Sequence, residues 1–546
     1  MTSHVTPEPA VDRAAAAPRV AVSSESGRAL WIGLGAVGLA AVLVFWLFDA
    51  LAFQDLPAHA GLIAMRHRFA GSPFEQRFFV LSPHIGPYTL FRFLGEGLVG
   101  IVGPTGAVRV IATLPVVATP AAMLFARRRL FGDRSPTMGY LGIVLSFGFM
   151  TLLGFASYLL GVAVMLVGLT LWLELMVAAD GDPLTGSARA RRLEIAVALY
   201  APLIFIAHGH AFLLFLGLAV VSCLAAGHRI ERTVRLRALA PALLIAARVA
   251  WIERGSSIPR GSAALANDGL APYFQGPYDK LSLLVTPTLM TRTGIDIAIG
   301  VFVWALVVAG AVATLRWMRE VPPSEREGTA RLHSRALYAG AASIALLFLV
   351  LPHRIGWFGF VDGRLVPLIV ILAALAVHLA ALGPQARAAF ERGVPLLACA
   401  TAALALVASY RFQAEARGYK EVLAAVPSES RLLNLPLDPN SDIFTAHPFV
   451  HYDKLVLAQR PLVVSDIWFH QGSALYPTPE NPALRLPSSY SESNLRFIDW
   501  PAYRLGDWDY VLIRTRPDAP APFAPAGLSL EKHAGGWWLY RTPAGA

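Results

Sequence analysis

Between Ala29 and Ser409, apolar runs close to the length that crosses a bilayer alternate with short Arg-bearing segments. A hydrocarbon core about 30 Å thick takes roughly 20 apolar residues in helix, and it holds no water to satisfy a bare backbone. This pattern therefore predicts a polytopic α-helical membrane protein. The candidate spans are 29–50, 105–126, 138–154, 158–178, 194–207, 211–226, 238–252, 295–315, 335–352, 365–383 and 393–410, which makes about eleven transmembrane helices.

Charge returns to an ordinary density after Ser409. The whole chain is only 15% charged, against roughly a quarter in soluble proteins, so the shortage lies in the first part. The expected organisation is a disordered cytoplasmic tail over 1–28, a transmembrane domain over 29–410 with an outer loop at 51–104, and a small α/β soluble domain over 411–546. The tail is rich in Ala, Ser and Pro. The run from Ala29 to Leu51 is too long for a signal-peptide core and lacks a small-residue cleavage site, so it is expected to stay as an anchor. Cys223 and Cys399 both sit in apolar runs, which excludes a disulfide framework.

The net charge of +10 does not point to nucleic acid. The Arg residues cluster between spans: Arg127, Arg128, Arg129 and Arg134; Arg189, Arg191 and Arg192; Arg229, Arg232, Arg235 and Arg237; Arg316, Arg319, Arg326, Arg331 and Arg335; Arg387 and Arg392. The turns at Gly154–Ser157 and His208–His210 carry no Lys or Arg. Positive charge stays on the cytoplasmic side, which places the N-terminus in the cytoplasm and the terminal domain outside a bacterial inner membrane. Residues 85–103 are long enough to span, but Arg92 and Glu96 would then be buried at about 2.5–3.5 kcal/mol each. The expectation is a helix along the outer interface, with Arg92 and Glu96 as an i,i+4 pair.

In the soluble part, 411–426 has helical spacing, and 432–437, 461–468, 509–515 and 536–542 read as strands between Pro/Asn/Ser-rich loops. Its tryptophans (Trp468, Trp500, Trp508, Trp537 and Trp538) suit a domain core, or ring stacking on carbohydrate.

Several residues could carry chemistry. Asp55 follows the first span, with His59 four residues on. It reads as a general base at the membrane surface, or as the N-cap of a helix begun by Pro57. His353, Arg354 and Arg364 bracket an outer loop that also holds Trp357 and Phe358. They read as a phosphate clamp, or as side chains snorkelling from helix ends; Lys280 and Arg292 suit the latter. His208 and His210 read as a polar hairpin tip, with metal ligation the weaker alternative. His447 and His451 share a helix face, which Pro448 makes a plain helix start.

The stretch Asp55-Leu56-Pro57-Ala58-His59, then Pro87-Tyr88, Gly103-Pro104 and Arg109, resembles the first outer loop of the GT-C superfamily of membrane glycosyltransferases. Leu124–Arg134 and the Gly154–Leu173 segment are similar to that group as well. The resemblance covers roughly 30–380. It implies a sugar transferase that uses a polyprenyl-phosphate donor and a lipid or glycan acceptor, with Asp55 and His59 catalytic. Arg354, Arg364, His353 and Arg92 would hold phosphate, and Asp49, Glu75 and Tyr88 are secondary candidates. Many members carry a second acid beside the first to hold a metal. Here Gln54 stands next to Asp55, so no metal ligand is assigned and a divalent metal is the one cofactor left open. Rival expectations are a transporter or flippase, for which polar residues deep in the spans are few (Glu174, His378), and a non-catalytic scaffold with an outer binding domain.

Overall fold

The computed structural model describes residues 24–81, 85–178, 188–226, 237–255, 271–320, 322, 325–356, 358–467 and 475–543. Most of the expected tail, together with Arg229, Arg232, Arg235, Trp357 and Trp468, lies outside the described residues.

The first part is helical. Among the described residues five helices are long and apolar enough to cross a membrane: Thr89–Phe131, Ala156–Ala178, Ile295–Glu320, Glu327–Val350 and Pro384–Glu415. Gly27–Leu43, Thr137–Ser146, Gly209–Ala225 and Leu365–Ala376 are apolar but shorter. The expected count of about eleven is not confirmed by length and composition among the described residues, and two of the expected spans are interrupted. The run 138–154 breaks at Gly148, where a Cβ would lie 2.4 Å from the Pro287 carbonyl oxygen; its neighbour Phe149 instead donates its amide to Thr286 at 2.9 Å. The run 365–383 leaves the helix at Val377, whose ψ is 123°.

Ala156–Ala178 is the most enclosed of the five, while Ile295–Glu320 and Pro384–Glu415 expose apolar side chains such as Val301, Val308, Leu396 and Val407. A protein face of this kind is stable against lipid rather than water. At the far end of the bundle Arg127 is not a loop charge but a buried tie. It donates to the carbonyls of Leu375 and Val377 at 3.0 and 2.7 Å and pairs with Asp133. Glu174 pairs with Arg129, and His378 stacks on Trp317 at 4.2 Å. Both cysteines are free.

The helix over Thr89–Phe131 is interrupted at Gly103, which takes φ 70° and ψ 171°. Only glycine adopts that conformation without strain, and Pro104 then suits the first turn of the resumed helix. In the segment before the break Glu96 pairs with Arg66 of the Leu56–Arg68 helix, and its charge also bears on Arg92. Arg92 is buried and donates to Thr89 Oγ1 at 2.8 Å.

The C-terminal part is a five-stranded mixed sheet in the order Leu462–Val464, Ser430–Pro436, Tyr510–Arg514, Trp537–Arg541, Ser529–Ala534. The first three strands are parallel and the last two antiparallel. Four of the strands fall in the expected runs. The fifth, Ser529–Ala534, is an exposed edge with too few apolar residues to be recognised in advance. Trp508 and Trp537 are buried in the core of this domain, and Trp500 and Trp538 nearly so. The helix Pro384–Glu415 runs straight through the expected domain boundary at 410/411 into the sheet domain, where Arg514 donates to the Glu415 carbonyl.

The first loop is bound to the terminal domain at several points, two of them between elements. Phe79–Leu81 pairs antiparallel with Leu475–Pro477, Val80 opposite Tyr476. The Leu56–Arg68 helix packs on the 3-10 segment Pro448–Leu455. Gly61 permits the approach: a Cβ there would lie 3.0 Å from Leu457 Cβ and 3.1 Å from the Lys454 carbonyl.

Candidate functional site

The start of the first outer loop is held by parts of the chain remote in sequence. Arg109 donates to the carbonyls of Phe45, Phe48 and Asp49, which pins the turn that follows the first helix. Gln413 brackets Ala50, accepting from its amide at 3.0 Å and donating to its carbonyl at 2.9 Å. Tyr452 donates to the Leu51 carbonyl. The amides of Gln54 and Asp55 donate to Leu152 and Leu153, and Gly154, at φ 81°, lies so close that a Cβ would come within 2.8 Å of the Asp55 nitrogen.

Asp55 therefore stands at the N-terminus of the Leu56–Arg68 helix with a fixed backbone, yet its side chain makes no capping hydrogen bond. The carboxylate is directed elsewhere. Its Oδ1 lies 3.6 Å from His451 Nε2, and the side chain keeps 13% exposure. Burial pushes the Asp55 carboxyl up to about 8, against the pull of Arg364, a hydrogen bond from Gln54 and the charge of Lys454.

The cation facing it is Arg364, which is 6% exposed. Its guanidinium lies 4.3 Å from the Phe155 ring centroid and 4.1 Å from that of Phe358, and it donates to Gly359 at 3.2 Å. Its backbone carbonyl accepts from the Tyr158 hydroxyl. Tyr88, held at φ 71°, faces the same guanidinium. His208 packs edge-on between Tyr88 and Tyr158 at 4.8 and 5.2 Å, and His210 stacks on Tyr158 at 5.8 Å. The two histidines are thus not a polar hairpin tip. Gly161 leaves room for His208, whose Cβ would lie 2.6 Å from a Cβ at that position. Burial first, then Arg364, hold His208 well below the usual histidine range, so it is neutral. Among the described residues, Arg364 Nε and the Nδ1 atoms of His208 and His210 find no hydrogen-bond partner.

The other expected site residues have different surroundings. His59 lies against Phe91 at 4.5 Å. His353 bonds Asp362 at 2.8 Å, and Asp362 also meets Lys280 at 3.4 Å; this cluster fastens the 353–364 loop to the 277–282 helix. Arg354 is exposed over the Tyr273 ring. Asp49 forms a surface pair with Lys420, and Glu75 is buried against Arg68. The structure thus brings Asp55, Tyr88 and Arg364 together, while His353 pairs with Asp362, Arg354 lies over Tyr273, Asp49 pairs with Lys420 and Glu75 with Arg68. Among the described residues no three of His, Cys, Asp and Glu are grouped to hold a metal ion.

Sequence reasoning reads His451 as part of a plain helix start and misses Glu492, the other member of the group behind Asp55. His451 is 6% exposed, and its Nδ1 lies 3.0 Å from Glu492. Glu492 also accepts from Lys454, from the Tyr490 hydroxyl at 2.9 Å and from Asn434 at 3.1 Å. Burial opposes the charge of Glu492, but Lys454 and His451 outweigh it and hold the carboxyl down at about 2. Nothing in the polar stretch around Glu492 marks it as buried.

This architecture is the GT-C fold, as seen in a solved bacterial structure. The chain is similar to ArnT from Cupriavidus metallidurans in the apo state, with TM-score 0.52 and 12% identity over 95% of this chain and 98% of that one. It also matches the Archaeoglobus fulgidus oligosaccharyltransferase in the apo form, with TM-score 0.43 and 12% identity over 89% of this chain and 69% of that one. A further match is the arabinofuranosyltransferase AftD from Mycobacteria, with TM-score 0.43 and 17% identity over 94% and 40%. The fold assignment rests on the first of these. No protein-family model matches the sequence, and no curated protein sequence matches it.

Proposed function

We propose that the chain is a membrane glycosyltransferase that moves a sugar from a polyprenyl-phosphate donor to a lipid or glycan acceptor at the outer face. One observation carries this reading. A largely enclosed carboxylate that caps no helix, Asp55, faces a buried guanidinium, Arg364, where the first loop meets the 353–364 loop. In the reaction the acceptor oxygen bonds to the anomeric carbon and its proton passes to Asp55. The bond from that carbon to the phosphate oxygen breaks, and the electron pair leaves with the phosphate. Arg364, Tyr88 and the unpaired nitrogens of His208 and His210 suit that anion, because fixed donors in a buried site need no reorganisation as charge develops. A base with a raised pKa is a strong proton acceptor when ionised.

The test uses purified protein in lipid nanodiscs, a panel of polyprenyl-phosphate pentoses and hexoses, and the lipid extract of the producing cell as acceptor, with release of polyprenyl phosphate measured. The rate is expected to rise with pH up to about 8, as Asp55 ionises, and then to level. Asp55→Asn is expected to lose about 10²–10⁴-fold. An Asn variant that turns over at the parent rate rules out the base assignment.

A further inference from the structure

The acid-base unit does not end at Asp55. His451 comes from the C-terminal domain, beyond every helix of the membrane part, and its imidazole lies between two carboxylates, 3.6 Å from Asp55 and 3.0 Å from Glu492. The Glu492 carboxylate already accepts from Lys454, Tyr490 and Asn434. As an ionised acceptor it accepts a hydrogen bond from the Nδ1–H of His451, which leaves the Nε2 lone pair on the side of Asp55. Lys454 also lies 3.2 Å from Asp453, so the anions behind the imidazole are tied to a buried cation. The 3.6 Å gap is longer than a hydrogen bond, a common state of catalytic contacts before substrate is bound.

From this geometry we infer that His451, oriented by Glu492, is a positioning residue that offers its Nε2 to the Asp55 proton and so eases the ionisation of Asp55 as the acceptor arrives. The inference rests on the base reading of Asp55. The step is balanced: the O–H bond of the Asp55 carboxyl breaks, an N–H bond forms at His451 Nε2, and the pair becomes carboxylate and imidazolium beside the Glu492 carboxylate. The reverse transfer returns the proton. In catalysis Asp55 then receives the acceptor proton in place of the one it gave up, and the proton on His451 is lost to solvent before the next cycle. The groups that bear on Asp55 are Arg364 and Lys454, with Gln54 as a neutral donor. Those that bear on the Glu492 end are Lys454, Asp453, Asp466 and Tyr490.

The arrangement also assigns work to the terminal domain. With Gly61 allowing the 448–455 segment onto the Leu56–Arg68 helix, that domain supplies the second half of the unit.

The decisive measurement needs no sugar substrate. Full-length protein in nanodiscs is titrated by infrared difference spectroscopy, and the carbonyl stretch of protonated Asp55 is assigned by its absence in Asp55→Asn. In His451→Gln, which keeps the volume but cannot take a proton, the midpoint of that band is expected to move up by about one pH unit or more, since the nearby imidazolium favours the charged carboxylate. Glu492→Asp keeps the charge against Lys454 but withdraws the carboxylate from Nδ1, and it is expected to shift the midpoint the same way by less. If Gln at 451 does not fold, His451→Asn replaces it. Midpoints that coincide with the parent in both variants overturn the inference. In the transfer assay His451→Gln is expected to lower kcat by about 10²-fold with KM unchanged, and to move the acid limb of the pH profile upward; a change in KM alone also overturns it. The double variant with Asp55→Asn is expected to be no slower than Asp55→Asn alone, because the two residues act as one unit. Should Asp55→Asn transfer at the parent rate, the base reading fails, while the titration still decides whether the two side chains share a proton.

Discussion

At the scale of single residues, the site depends on a carboxylate kept where it is costly to ionise. Asp55 is the reverse of the usual acidic residue. Its folded-state pKa, about 8, lies above the unfolded value near 3.8, so the folded state holds its proton more tightly than the unfolded chain does. By linkage, this group adds nothing below the unfolded pKa, and its contribution turns increasingly unfavourable as pH rises through the window up to about 8. Asp55→Asn is therefore expected to melt above the parent at pH 8–9 and level with it near pH 4 or below, as measured by thermal unfolding in detergent; equal melting across that range would show that the carboxyl is not perturbed. The sequence made Asp55 and Arg364 legible, because an acid just after the first apolar run and an Arg closing an outer loop are both visible as pattern. His451 and Glu492 were not legible. Burial is what gives them meaning, and it comes from contacts with residues hundreds of positions away. His208 and His210 were misjudged for a related reason: a charge-free turn between apolar runs looks exposed, whereas Tyr88, Tyr158 and Arg364 enclose it.

At the scale of elements, glycine spacing matters as much as apolar spacing. The Leu56–Arg68 helix is approached closely on two sides, by Leu457 and Lys454 at Gly61 and by its own Ile63 against Gly95, where a Cβ would lie 2.6 Å from Ile63. Gly61→Val is expected to push the 448–455 segment away, at about 1–3 kcal/mol. The measurement is loss of a cysteine cross-link engineered between the two elements, together with a lower melting temperature. A cross-link formed at the parent rate would show that the helix has room to spare. Apolar periodicity located the helices well, because burial or lipid contact follows directly from composition. It overestimated continuity at Gly148 and Val377, where the chain turns to meet a partner that no local pattern announces.

At the scale of the whole molecule, the distribution of Arg implies a fixed orientation. Reporter fusions after Arg129 and after Glu415 are expected to report opposite sides of the membrane, cytoplasmic and external respectively; signals from one side would remove the proposed outer site. The order in which such a chain is made has its own consequence. Phe79–Leu81 cannot find its strand partner, nor Asp55 its histidine, until the far end of the chain has emerged. Thr478 bonds the Arg77 carbonyl across 401 residues, which at synthesis rates of roughly 5–20 residues per second is a wait of about 20–80 s. During that interval the first loop stands with its acid unsupported by His451. On the proposed reading, a nascent or prematurely ended chain is thereby silent by construction, and activity is switched on by the completion of synthesis itself.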